Sequence, residues 1–268
     1  MSRRDSLCDA GVRAAFSRAA SRYAGAAALQ RRVCDGLLER LPSGQRITRA
    51  LDLGCGTGFA SAGLQARCAP SGLIAADFSI GMLAAHQAGA GVPRVCADAH
   101  RLPFADGCFD LVFSSLMLQW CALDVALPEC RRVLAPGGTL AFSTVLTGTL
   151  GEIDQAFHGL DAHRHVIAFP SAGDLETALT GAGLRIERMD LTTETEHFAD
   201  ARALLQSNRD IGASRVPAGG RRAVLGRAAL QTVLARLEAL RTPDGLPLSY
   251  RLAWVVATPA GATGEGCD

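Results

Sequence analysis

An α/β fold built on a mostly parallel, doubly wound sheet is predicted by three features of this sequence. Apolar strand-like runs alternate with helix-period segments from residue 49 to residue 145, the pattern of a parallel sheet covered by helices. The first run, ALDLGCGTGFAS (50–61), breaks at Gly54, Gly56 and Gly58 into a tight strand-to-helix turn. A length of 268 residues suffices for one large core with insertions.

Strands are expected near 49–54, 72–77, 93–96, 109–114 and 138–145, and helices over 59–68, 80–88 and 122–134. The last of these helices is stopped by Pro136, Gly137 and Gly138. Beyond residue 146 the patterns favour helices at 150–161, at 173–181 after Ser171, at 199–206 and at 222–241, with a strand at 184–191. LPLSYRLAWVVATP (246–259) reads as a final strand, antiparallel at the sheet edge. Ahead of the core a helical stretch continues to Leu38. The expected organisation is one domain: a helical cap over 1–44, a cofactor-binding core over 45–145, a substrate-side insertion with the final strands over 146–259, and a tail over 260–268.

Composition excludes several functions. The formal net charge is +1, so no whole-molecule field draws the chain to nucleic acid or a membrane. No lysine occurs among the 27 basic residues, which removes Schiff-base and P-loop lysine chemistry. Nine cysteines without a CxxC pair read as buried thiols of a reducing cytoplasm. The arginine-rich N-terminus resembles a transit peptide in composition, but Asp5, Asp9 and the continuing helix argue against that reading. Polar residues interrupt every apolar run that approaches the length of a membrane span. His158, His163 and His165 match neither HExxH nor a zinc-finger spacing, so no metal is expected.

The glycine spacing is GxGxG, with Phe59 where a dinucleotide fold places its third glycine. Asp52, two residues before the turn, would repel a pyrophosphate but suits a cationic ligand such as S-adenosylmethionine; alternatively it caps the turn's own amides. Asp77 ends the second strand, where an acidic residue accepts from ribose hydroxyls. Asp98, after the third strand, has two readings: acceptor for an adenine amine, or helix N-cap.

In this order LDLGCGTG, AADFS, ADAHRLPF, FDLVFSS and RRVLAPGGTLAFST resemble the motifs of class I adenosylmethionine-dependent methyltransferases over about residues 45–145. The resemblance implies a Rossmann-like fold with a seven-stranded sheet, an N-terminal helical lid and a helical insertion. It also implies S-adenosylmethionine as cofactor, bound by Asp52, Gly54, Gly56, Gly58, Asp77, Phe78, Asp98, Ala99 and Ser114. AAFSRAASRYAGAAALQRRV (14–33), LMLQWC (116–121), FSTVLTGTLGEI (142–153), DIGAS (210–214) and LPLSYRLAWVVA (246–257) are similar to segments of the malonyl-acyl-carrier-protein O-methyltransferases of biotin synthesis.

That narrower resemblance implies methyl transfer to the carboxylate of a malonyl thioester on an acidic acyl carrier protein. Tyr23 and Gln119 are its candidates for acceptor contacts, with Tyr23 alternatively a packing residue, and Trp120 either shields the site or fills the core. After Asp161 the family pattern carries an arginine where this chain has Ala168, so Arg164 or Arg209 is the candidate for holding the acceptor carboxylate. Arg13, Arg18, Arg22, Arg31 and Arg32 form either a carrier-protein surface or a solvated helix face. Two alternatives remain: a methyltransferase of another small carboxylate or hydroxyl, and a non-catalytic adenosylmethionine-binding accessory protein on the same fold.

Overall fold

The computed structural model describes residues 11–18, 28–87, 91–210 and 226–261. In chain order they form α1 (11–18), α2 (Ala28–Glu39), β1 (Arg49–Leu53), α3 (Phe59–Cys68), β2 (Gly72–Asp77), α4 (Ile80–Ala84), β3 (Arg94–Cys96) and β4 (Phe109–Ser115). There follow a 3₁₀ turn (Leu118–Trp120), α5 (Leu123–Val133), β5 (Leu134–Val145), α6 (Gly151–Phe157), α7 (Ala172–Gly181), β6 (Leu184–Phe198), α8 (Ala201–Asp210), α9 (Arg227–Glu238) and β7 (Leu246–Pro259).

The seven strands make one sheet in the order β3-β2-β1-β4-β5-β7-β6. Alternating side chains of β1 show how it divides the core: Ala50 joins a cluster with α2, α3, α6, α8 and α9, whereas Leu51 and Leu53 join one with α5 and α7. The result is three layers, helices on both faces of a sheet whose first five strands are parallel. No helix among the described residues is long and apolar enough to cross a membrane.

The antiparallel strand expected at the edge is β7, and it lies one place inside. It pairs with β5 on one side and along its whole length with β6 on the other, from Leu184 opposite Pro259 to Phe198 opposite Leu246. The physical reason is in the residues. β7 carries the apolar run LAWVVA, buried on both faces, while β6 is a polar strand, LRIERMDLTTETEHF, with most side chains at least partly exposed. The charged, threonine-rich strand suits the edge. Its pairing, broken only by a register shift between Ile186 and Arg188, also explains why β6 reaches Phe198, past the apolar pattern that ended at Leu191.

Three expected helices end early: α9 stops at Glu238 rather than residue 241, while the expected start at 222–225 lies outside the described residues. α4 ends at Ala84 rather than residue 88, and α6 ends at Phe157, where the chain turns through His158 and Gly159, the latter at φ 72°. α7 begins as expected after Ser171, whose hydroxyl accepts from Asp174 N while Asp174 accepts from Ser171 N, a capping box. β7 is fastened to the helical layer by Trp254 Nε1, which donates to Val33 O over 3.2 Å, and by the Arg40 guanidinium stacked 4.3 Å from the Trp254 ring. Arg40 also pairs with Asp190 of β6 at 2.7 Å.

Candidate active site

Strand order reverses between β1 and β4, and the carboxyl ends of β1, β2, β3 and β4 open there into a cleft, the usual ligand position in a doubly wound sheet. The glycine turn forms its floor. Gly54 N and Cys55 N both donate to Ala76 O, at 2.7 and 3.0 Å, which folds the turn onto the end of β2. Gly54 adopts φ 76°, and a Cβ on it would collide with the side chain of Met117, so both backbone conformation and space require glycine. Gly56 lines the cleft, whereas Gly58 is buried beneath it as the left-handed N-cap of α3.

Asp77 stands at the cleft floor, 7 % exposed. Its Oδ2 accepts from Gly56 N at 3.0 Å and its Oδ1 from Ser79 N at 2.8 Å. Burial pushes its pKa up and the backbone donors oppose that shift. Each carboxylate oxygen offers two lone pairs, so capacity remains for ligand hydroxyls. Phe78 follows on the wall beside Met82 and Ala97.

The third wall is the loop after β3, with Asp98 and Ala99 both lining the cleft. Asp98 Oδ1 accepts from His100 N at 2.9 Å and lies 2.8 Å from His100 Nδ1. His100 Nε2 accepts from Ala122 N at 2.9 Å, which assigns the ring proton to Nδ1. Neither ring nitrogen is left to act as a base. Asp98 is therefore neither an N-cap nor a loose side chain but is clamped toward α5 through the imidazole. Arg132 holds the rest of this loop, donating to Leu102 O and Phe104 O at 3.0 and 2.8 Å while pairing with Glu129 and Asp106. Sequence reasoning missed that clamp, since an arginine late in a helix reads equally as a solvated end.

A lid closes the cleft from the N-terminal side. Phe16 of α1 meets Trp120 edge-on at 5.3 Å and Phe78 at 6.2 Å. Ser17 Oγ lies 2.8 Å from Ser79 Oγ, and the Cα of Ser17 packs where a Cβ on Gly81 would stand, 2.9 Å away. Trp120 thus belongs to the cleft wall rather than the core. Phe16, Met82, Leu116 and Met117 were not anticipated from sequence. Leu116 carries a signal only in structure: φ 49°, a left-handed conformation rare for leucine, turns the chain into the cleft after β4.

Other expected residues lie elsewhere. Asp52 does not line the cleft. It is 1 % exposed behind the glycine turn, on the α3 face of β1, where its Oδ2 lies 2.5 Å from Ser61 Oγ. Ser114 is fully buried within β4, and its neighbour Ser115 takes the place on the wall, because successive strand residues face opposite sides. Gln119, in the 3₁₀ turn, folds back to donate from Nε2 to Leu116 O at 2.7 Å and does not line the cleft. Arg164 is exposed on the loop between α6 and α7. In that loop His165 stacks on Phe157 at 3.8 Å and lies 3.0 Å from Asp161. Tyr23, Arg22 and the Arg209 side chain lie outside the described residues. Arg13, Arg18, Arg31 and Arg32 are exposed, with Arg32 near Glu194 and Glu196 and Arg31 stacked 4.0 Å over the Phe59 ring.

The lining chemistry fits a nucleoside that bears positive charge. Two carboxylates, Asp77 and Asp98, provide acceptors, and Phe78, Met82 and Ala97 an apolar slot. No arginine is among the described lining residues, so nothing there neutralises a pyrophosphate.

Residues 51–142 match the family described as the methyltransferase domain. The malonyl-acyl-carrier-protein O-methyltransferase of Dechloromonas aromatica is 41 % identical over 248 residues, covering 92 % of this chain and 94 % of that one. The bifunctional biotin-biosynthesis protein of Cellvibrio japonicus is 38 % identical over 248 residues, 91 % of this chain but 49 % of that longer protein. A solved structure from Bacillus halodurans shares the fold at a TM-score of 0.60 with 15 % identity, over 84 % of this chain and 98 % of that one. Cleft, strand order and near end-to-end identity agree: the chain belongs to the malonyl-acyl-carrier-protein O-methyltransferases.

Proposed function

We propose that this protein transfers a methyl group from S-adenosylmethionine to the free carboxylate of a malonyl thioester carried on acyl carrier protein, an early step of biotin synthesis. The observation that carries the reading is the cleft lining: two carboxylates, an apolar slot, and no histidine, tyrosine or arginine among its described residues. A carboxylate acceptor is already ionised at neutral pH, so such a site needs no general base. An alcohol or amine acceptor would need one.

Bound S-adenosylmethionine supplies an electrophilic methyl group on a sulfonium. The chain's own residues do the rest. Asp77 accepts from the ribose hydroxyls, held in place by Gly56 N and Ser79 N. Asp98 and Ala99 frame the base, and Phe16, Phe78 and Trp120 exclude water. Catalysis then rests on alignment of the acceptor oxygen with the methyl, an effect worth up to about 7 to 11 kcal/mol. Arg164 is the residue we assign to the acceptor carboxylate, with Tyr23 as a further acceptor contact; Gln119 could join them only by releasing Leu116 O. The exposed guanidinium groups of Arg13 and Arg18 on α1 suit an acidic carrier protein approaching over the lid.

The test is transfer of labelled methyl from S-adenosylmethionine to malonyl carrier protein, giving a base-labile ester. Label on malonyl carrier protein supports the reading. Donor binding without transfer to any malonyl thioester, with transfer to a different carboxylate, would move the chain to another acceptor.

A further inference from the structure

Behind the cleft, on the α3 face of β1, three polar side chains form a buried chain that plays no direct part in the reading above. Ser61 Oγ, in the first turn of α3, lies 2.5 Å from Asp52 Oδ2 and 3.0 Å from Nε2 of His86. Ser61 is fully buried, Asp52 is 1 % exposed and His86 8 %. The far nitrogen of the ring, His86 Nδ1, is buried with no hydrogen-bond partner among the described residues. A buried network satisfied on one side only is costly, and apolar residues would fill the same space more cheaply.

The donors follow from elementary valence. An ionised Asp52 can only accept, so the Ser61 hydroxyl donates to it. That hydroxyl then has only lone pairs to offer His86, so Nε2 carries the ring proton and Nδ1 is bare. Protonation of Asp52 reverses the direction: the carboxyl donates to Ser61, Ser61 donates to Nε2, and the ring proton moves to Nδ1. The network therefore has two states that differ by one charge at Asp52.

Its position couples it to the cleft. Asp52 is followed directly by Leu53 and Gly54, which line the floor. His86 sits just beyond α4, and the next residue is tied to the glycine turn by Gln87 N donating to Thr57 O at 3.0 Å. We propose that Ser61 and His86 are positioning residues that hold Asp52 beneath the glycine turn in its ionised form, favouring the sulfonium-bearing donor over its uncharged demethylated product. The inference rests on the methyl-donor reading and adds to it a means of discriminating substrate from product, which differ by that single charge.

The neighbours are compatible. From β2, Asp77 adds a second negative charge. Cys34 of α2 and Cys55 of the turn are pushed up by burial and stay neutral thiols. Burial, then the charge of Arg94 on β3, lowers the pKa of His86 and keeps its ring neutral. Burial pushes the Asp52 carboxyl up to about 7, against its bond to Ser61, so its charge is set close to neutral pH.

The experiment is calorimetry of S-adenosylmethionine and S-adenosylhomocysteine on the wild-type chain and on Ser61→Ala, His86→Leu and His86→Gln, at about one pH unit either side of neutrality. Wild type should prefer the donor more strongly at the higher pH. Ser61→Ala and His86→Leu should reduce that preference about five- to tenfold, the scale of one buried hydrogen bond, while His86→Gln, which keeps a donor near the Nε2 position, should restore most of it. Nitrogen NMR of the His86 ring should find the proton on Nε2 at the higher pH. An unchanged donor-to-product ratio in both His86→Leu and Ser61→Ala, or a proton on Nδ1 at the higher pH, overturns the inference even where melting temperatures fall, since packing alone moves stability and not the ratio. Should Ser61→Ala not fold, the His86 pair and the NMR measurement decide. Wild-type protein that binds no adenosylmethionine removes the methyl-donor reading itself; wild-type binding with unaltered variants removes the inference alone.

Discussion

The backbone N–H of Gly56 donates to Oδ2 of Asp77 over 3.0 Å, so the turn after β1 and the acidic end of β2 are a single unit. Asp77→Ala removes the acceptor for two backbone amides as well as for the ligand. It is expected to lower adenosylmethionine affinity by about 1.5 to 3 kcal/mol, tenfold or more, and to lower stability by a similar amount. Asp77→Asn retains one acceptor and should lose less of both. Calorimetry together with thermal unfolding separates the two effects, and an unchanged dissociation constant in a folded alanine variant would place the ribose elsewhere.

Two glycines with similar backbone angles form a controlled pair. Gly54 at φ 76° has Met117 in the space a Cβ would take, while Gly44 at φ 83° has nothing within 4 Å. Gly44→Ala should therefore incur only the left-handed backbone cost, about 1 to 2 kcal/mol. Gly54→Ala adds overpacking, for a total of about 2 to 5 kcal/mol, and should also weaken donor binding by shifting Met117. Denaturant midpoints of the two variants measure the difference.

Asp52 links stability to pH. Its folded pKa, pushed up to about 7 by burial, lies above the ordinary aspartate value of 3.8. Between those values the folded chain binds more protons than the unfolded one, so this residue makes stability fall as pH rises through that window. Asp52→Asn should flatten that slope and, near pH 8, raise the unfolding free energy by an amount on the order of a few kcal/mol, and the melting temperature with it. Thermal unfolding across the window, wild type against variant, tests it; parallel curves would mean that Asp52 is ionised throughout.

Arg164 lies exposed on the loop between α6 and α7, four residues before Ala168. If it holds the acceptor carboxylate, Arg164→Ala should reduce methylation of malonyl carrier protein about tenfold to a hundredfold while leaving donor affinity unchanged. Ala168→Arg in the wild-type background should raise activity where the original geometry persists. Full activity in Arg164→Ala would transfer the role to Arg209.

Much of the fold was legible because its signals are local. The strand runs, the glycine turn and the Ser171 cap each announce themselves within a few residues. Asp77, Asp98 and Ala99 were legible as cleft residues because Asp77 ends β2 and the other two follow within three residues of the end of β3. Ser114 was misplaced by one residue, since a strand end can be seen in sequence but the face of its last residue depends on where the twist stops. Asp52 was misplaced for a different reason. Its charge was visible, but the partner that draws it inward is Ser61, which reads as a small helix residue. The order of β6 and β7 was readable in principle, since only the more apolar of the two can bear burial on both sides.

The placement of β7 has a consequence for how the molecule is made. Strands β1 to β5 can pair as they emerge during synthesis, but β6 cannot join them, because the strand that separates it from β5 begins 62 residues after β6 begins (246 against 184). The sheet therefore closes by insertion of a late segment between an existing edge and a waiting one, a long-range event of the kind that slows folding. Until then β5 presents open hydrogen-bonding groups, and chains interrupted before residue 246 keep that edge permanently. Ribosomal stalling in this region would thus yield chains prone to aggregation rather than shortened but functional proteins.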